Sequence, residues 1–120
     1  MKPWNQEKDW GIEILDKFLL NFFTGGWVVG DFNPSLFKSD CMEVGVKKFL
    51  LGDRELSHKQ LIATEITIII SGKVRIGKEI FIEGDVVVIP PGEYADFEAL
   101  SDGSLTCIKF PSIPSDKVLE

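Results

Sequence analysis

Histidine is nearly absent from this 120-residue sequence, with His58 the single example. One imidazole excludes multi-histidine metal centres by counting. It also leaves no convincing Ser–His–Asp triad, since Ser57 is only its chain neighbour and adjacent side chains of a strand point to opposite faces. Cysteine is scarce too: Cys41 and Cys107 lie far apart, form no CxxC unit and encode no zinc-type cluster. A disulfide between them needs an oxidising compartment, and two buried thiols are the simpler reading. Basic charge is in deficit, 13 Lys and Arg against 19 Asp and Glu for a net charge of −6. That balance lacks the cationic face needed for nucleic acid or an anionic membrane surface. Long apolar runs are missing; Ile66 to Ile70 and Val86 to Ile89 have strand length, well short of a bilayer span. The opening residues from Met1 to Asp9 carry mixed charge where a secretory signal needs an apolar run. There is no P-loop and no GxGxxG after a strand. A cytoplasmic location is the default expectation.

What is present fits one globular domain: 44% hydrophobic and 27% charged residues in a chain of ordinary domain length. From Ile12 to Phe23 the apolar positions Ile12, Leu15, Phe18, Leu19, Phe22 and Phe23 recur at helical spacing, and Thr24-Gly25-Gly26 supplies a stop. The pattern predicts a short amphipathic N-terminal helix. Beyond Gly26 the texture changes to short strands separated by turn residues. Strand runs are read at Trp27 to Phe32, Val44 to Leu51, Ile62 to Ser71, Lys73 to Ile76, Glu79 to Ile82, Asp85 to Ile89, Tyr94 to Leu100 and Leu105 to Phe110. No helix-length pattern intervenes, which predicts an all-β sandwich or barrel and argues against βαβ units. The expected organisation is an extension over residues 1–26 carrying the helix, then a β-barrel domain over 27–120, with the tail from Pro111 lying over the outside. Ile66, Ile68 and Ile70 share one face of their strand, with Thr67 and Ile69 on the other. If one set lines the barrel, the second needs a cover: the N-terminal helix, or the partner copy of a homodimer.

The candidate site starts at His58. Five residues separate Gly52 from His58, one more separates it from Gln60, then Glu65 and Gly72 follow; a second segment reads Gly84, five residues, Pro90, one residue, Gly92. These spacings resemble the two motifs of the cupin superfamily, G-x5-H-x-H-x3–4-E-x6-G and G-x5-P-x-G-x2-H-x3-N, over Gly52 to Ala99. The resemblance implies a cupin-like double-stranded β-helix, a jelly-roll barrel, with a cavity centred on His58, Gln60 and Glu65. His58 and Gln60, two apart, share a strand face; Glu65, at odd spacing, needs a bend or bulge to join them. The sequence departs from the motif at Gln60 and Ala95, which stand at histidine positions, and at Ala99, which stands at the asparagine position.

Two classes of function follow from the resemblance. One is a binding protein whose polar cavity takes a small molecule, a carbohydrate or sugar derivative by family analogy, oriented by Gln60, Thr67 and Tyr94. The other is an enzyme of isomerase, epimerase or dioxygenase type. In it His58, Gln60 and Glu65 hold a divalent metal (Mn, Fe, Ni or Zn), or His58 and Glu65 act as catalytic base and acid without one. A sensor or assembly module with a vestigial cavity is a third reading. The plain alternative for His58 is a hydrogen-bonded cavity histidine, paired with Glu65.

Overall fold

The computed structural model describes residues 15–120. Among them the chain forms eleven strands in two facing sheets. In order they are β1 (Trp27–Gly30), β2 (Phe37–Lys38), β3 (Glu43–Phe49), β4 (Arg54–Gln60), β5 (Thr64–Ser71), β6 (Lys73–Ile76), β7 (Glu79–Ile82), β8 (Val86–Ile89), β9 (Ala95–Ala99), β10 (Gly103–Phe110) and β11 (Lys117–Leu119). One sheet runs β2-β1-β3-β10-β5-β8 and the other β11-β4-β9-β6-β7. All pairings are antiparallel except β1 with β2. The all-β expectation holds. Among the described residues no helix is long and apolar enough to cross a membrane.

Alternation along the strands sorts side chains by depth. On β5, Thr67 and Ile69 are buried while Ile70 is exposed. The sequence thus presents Glu65, Thr67 and Ile69 inward and Ile66, Ile68 and Ile70 outward. The core cluster is Phe49, Ile69, Val74, Phe97, Ala99 and Leu105, with the Phe49 and Phe97 rings edge-on at 5.8 Å. Further along the same strands the inner rows turn polar. The row Lys47–Leu105–Ile69 is followed by Gly45–Cys107–Thr67 and then by Glu43–Lys109–Glu65. One end of the sandwich is therefore a packed core and the other a polar recess.

Three expectations are corrected. Ile12 to Ile14 lie outside the described residues, and the rest of the predicted N-terminal helix holds only one 3-10 turn, Leu20–Phe22, followed by a second, Thr24–Gly26, at the predicted stop. Only Phe23 of that stretch is buried, in ring contact with Phe18 and Phe22, while Leu15, Leu19 and Phe22 stay exposed. A helix needs its apolar face covered to repay nucleation, and among the described residues this segment's apolar side chains other than Phe23 are left largely uncovered. The tail does not simply lie over the outside: β11 pairs with β4, and the buried Asp116 carboxylate accepts the Ile62 and Ala63 N–H groups at the β4–β5 corner. Cys41 is exposed, so only Cys107 fits the buried-thiol reading; both are free.

The motif glycines Gly72 and Gly92 both adopt left-handed backbone, φ 86°. At Gly72 a β-carbon would also lie 2.4 Å from the Asp102 carbonyl oxygen, whereas Gly92 faces open space. Gly92→Val should cost the conformational penalty alone, about 1–2 kcal/mol. Gly72→Ala should cost more, because backbone must also move. Thermal or urea unfolding of the two variants tests this order, and a Gly72→Ala protein as stable as the parent would refute it.

Candidate functional site

The polar end of the sandwich encloses a cavity of about 370 Å³, bordered by Trp27 and Gly45 on one side and His58, Gln60 and Ala95 on the other. Two features of β4 and its exit build it. The β4–β9 register slips between Glu55 and His58, where Glu55 sits opposite Phe97 and His58 opposite Ala95. Three residues on β4 thus match two on β9, a bulge that lets Glu55, His58 and Gln60 all face inward. The chain then crosses to the other sheet at Leu61–Ala63, so Glu65 reaches the cavity from the opposite wall. The odd spacing of Glu65 is resolved by that crossing, and the bulge lies before His58.

His58, Gln60, Glu65 and Thr67 all line the cavity. Tyr94 is not brought among them: it is exposed, and Lys59 Nζ rests 4.7 Å from its ring centre. His58 Nδ1 lies 3.0 Å from the Leu56 carbonyl oxygen. A carbonyl can only accept, so Nδ1 carries the proton and Nε2 of the neutral ring is left as an acceptor. Glu65 is not paired with His58; its Oε2 accepts the Thr67 hydroxyl at 3.2 Å. Gln60 is 5% exposed, and its side-chain Nε2 is buried with no hydrogen-bond partner. An unpaired buried amide costs on the order of 1–3 kcal/mol, so this group favours an incoming acceptor.

Sequence spacing missed several polar groups of the cavity. Glu55 is three residues from His58, the wrong parity without the bulge. It pairs with Lys47, whose Nζ also sits 4.1 Å from the Phe97 ring centre. Burial pushes the Glu55 carboxyl up, but Lys47, with help from Lys117 and His58, holds it below the ordinary glutamate range. Burial, reinforced by Glu65, pushes the Cys107 thiol up, so it stays protonated and unreactive. Lys109 reaches the face of Trp27, Nζ 4.8 Å from the ring centre. Trp27 itself lies over Gly45, where a β-carbon would meet the indole at 2.7 Å. Asp96 borders the cavity, but its carboxylate is gripped by Arg75 Nη1 and Nη2 at 2.9 and 3.0 Å.

The solved structures that this chain resembles share the arrangement of its sheets. An RmlC-like cupin from Shewanella frigidimarina is 14% identical with a TM-score of 0.59, covering 62% of this chain and 70% of that one. KdgF from a Halomonas species is 20% identical, TM-score 0.58, over 63% of this chain and 74% of that one. The fold is the cupin double-stranded β-helix. The DMSP lyase DddQ from Ruegeria pomeroyi matches with a TM-score of 0.66 at 18% identity, covering 78% of this chain but only 49% of the lyase. No family model matches the sequence, and no curated protein does. Cupin folds are associated with divalent metals, but the donor set here is a poor one. Ala95 puts a methyl group opposite His58, Lys109 sits beside Glu65 in the ladder, and no group of three or more His, Cys, Asp or Glu side chains is gathered among the described residues. One imidazole, one carboxylate and an amide beside an ammonium group do not fit a tight transition-metal site.

The Glu55 carboxylate has a testable consequence. Its pKa is lower folded than unfolded, so the stability it contributes is fully present above the unfolded value, about 4.3. That contribution is lost as pH falls through the lower folded value. Glu55→Gln should flatten this acid limb of the stability profile, as read by thermal unfolding between about pH 2.5 and 7. An unchanged limb would show that the Lys47–Glu55 pair contributes nothing.

Proposed function

We propose that this protein binds a small polar molecule, a carbohydrate or sugar derivative, in the cavity between its sheets. The observation that carries the reading is the buried, unpaired Nε2 of Gln60 at a cavity wall that also holds the free acceptor nitrogen of His58. Pockets of a few hundred Å³ with a small number of convergent polar groups are the usual form of ligand sites. Glu65 and Thr67 add an acceptor and a hydroxyl from the opposite wall, and Tyr94 is assigned to the rim. Trp27, whose indole stands over the Gly45 position, adds an aromatic side chain to the cavity wall.

A second reading, a metal-independent acid–base enzyme, is favoured by one detail. The Leu56 carbonyl fixes the His58 tautomer and leaves Nε2 able to take a proton from a bound substrate, with Glu65 across the cavity as partner acid or base. The Mn, Fe, Ni or Zn implied by the motif resemblance is not part of either reading. Both place the protein in the cytoplasm, where free cysteines such as Cys41 and Cys107 are stable.

Titration of the purified protein against a panel of sugars and sugar derivatives, followed by amide chemical shifts, tests the site. His58→Ala and Glu65→Ala should each weaken binding by roughly ten-fold or more, about 1.4 kcal/mol, with little change in unfolding. Equal affinity in both variants would overturn the assignment.

The same proposal includes a homodimer. The outward rows of the six-stranded sheet, Val44–Ile108–Ile66–Val88 and Val46–Thr106–Ile68–Val86, carry no charge, and Val86 and Val88 are largely exposed. The other sheet's outer face instead holds Arg54, Arg75, Asp96 and Glu98 in ion pairs. An uncharged face is complementary to its own copy about a two-fold axis. Sedimentation should give a dimer for the parent protein and a monomer for Val88→Glu. A monomeric parent would refute the pairing.

A further inference from the structure

A second recess of about 300 Å³ adjoins the cavity, bordered by Phe32, Asn33, Glu43 and Ile113 among others. Trp27, Gln60, Lys109 and Lys117 line both spaces. These four form the partition between them, and their polar ends are alike in kind: two ammonium groups, an amide donor and an indole. Lys117 is opposite Gln60 in the β11–β4 ladder, so both project to the same side. Gln60 brings the buried, partnerless Nε2 to this junction. Neither Lys109 nor Lys117 closes an ion pair among the described residues.

The acids nearby set the limit on this charge. Lys109 lies between Glu43 and Glu65 in the inner row, so its charge is balanced by two carboxylates. Glu43 is buried and accepts the Ser112 hydroxyl at 2.9 Å; Glu65 accepts that of Thr67. Lys117 has no acidic cross-strand partner in its own ladder, which pairs it with Gln60. The donors thus lie among three acids, Glu43 and Glu65 beside Lys109 and Glu55, whose carboxyl the charge of Lys117 helps to hold low.

Resting on the cavity reading above, we infer that the ligand carries a carboxylate seated at this junction, between Lys109, Lys117 and the Gln60 amide. Its hydroxyl groups lie toward Glu65 in one recess and Glu43 in the other, and its ring lies against Trp27. The ligand class is a hydroxylated carboxylic acid of sugar-acid type. A carboxylate supplies a charge-assisted acceptor for Lys117 and for the unpartnered Gln60 amide, which a neutral sugar does not.

Matched pairs of probes separate the carboxylate from the rest of the ligand. The full chain is titrated with D-glucuronate and D-glucose, gluconate and sorbitol, and succinate and succinamide, with amide shifts recording where each binds. In the parent protein at least one acid should bind roughly ten-fold or more tightly than its neutral partner, and the preference should weaken as salt rises. Lys117→Gln, at an exposed edge position, should bring that ratio toward one by weakening the acid more than its neutral partner. Lys109→Gln should do the same. His58→Ala should weaken acid and neutral partner together.

Equal affinities within every pair, or an acid preference that survives both lysine variants, would overturn the carboxylate while leaving the cavity intact. Absence of any acid-induced shift at cavity amides would overturn it as well. Shifts that fall elsewhere and ignore His58→Ala would overturn the cavity reading itself.

Discussion

The position of β10 between β3 and β5 is the constraint on which the rest depends. Its register, continuous with β3 and, from Leu105 onward, with β5, fixes which parity of three strands faces inward. A slip by one residue would send Ile69 and Leu105 to solvent and bring Ile68 and Thr106 inside. Because that register is held at the Phe49–Ile69–Leu105 end by apolar packing, the same parity must emerge at the far end as Gly45, Cys107, Thr67, Glu43, Lys109 and Glu65. The polar cavity is therefore a consequence of where the apolar rows stop. Its groups are tolerable only because the space between the sheets is open there and each carboxylate finds a hydroxyl donor or an adjacent ammonium group.

The two outer faces show how the same alternation divides labour. On the five-stranded sheet the outward positions are Arg54, Arg75, Asp96 and Glu98, a network that keeps the face wet and holds the Asp96 carboxyl below its ordinary range through the Arg75 guanidinium. On the six-stranded sheet the two central outward rows are valine and isoleucine with Thr106 among them, and Lys48 stands beyond them. Charged surface pairs contribute little to stability, so the contrast is better explained by exposure than by energy. One face is charged along its central strands, and the other is uncharged across its two central rows.

Much of this was legible in the sequence, for a definite reason. Strands such as β5 and β10 announce themselves through apolar β-branched residues, and the turns through glycine and proline, because burial and backbone conformation constrain residue type locally. β4 carries Arg54, Glu55, Ser57, His58, Lys59 and Gln60 and has no apolar alternation to show; only the motif spacing placed His58 and Gln60 on a strand. Glu55 was not legible because its inward orientation depends on a bulge, a tertiary adjustment against β9. Lys109 and Lys117 were not legible because each reaches the cavity from a strand distant in sequence. The N-terminal helix misled for the opposite reason: the spacing was present, but spacing stabilises a helix only when something covers its apolar face.

The motif positions divide along the same physical line. Gly72, Gly84, Pro90 and Gly92 serve the backbone: the glycines all take positive φ, and Pro90 ends β8. Those positions answer to folding whatever the cavity holds. Gln60 and Ala95 stand at positions that in the resembling motifs carry histidine, and both face the cavity, where a change of side chain does not unpack the core. Ala95 removes a donor opposite His58 and leaves space. Gln60 exchanges an acceptor nitrogen for an amide that, as placed here, offers an unmet N–H pair. Lys109 then supplies a fixed positive charge beside Glu65. Together these three residues replace groups suited to a cation with a methyl group, an amide and an ammonium group, which supports the acceptor-bearing ligand proposed above over a metal ion.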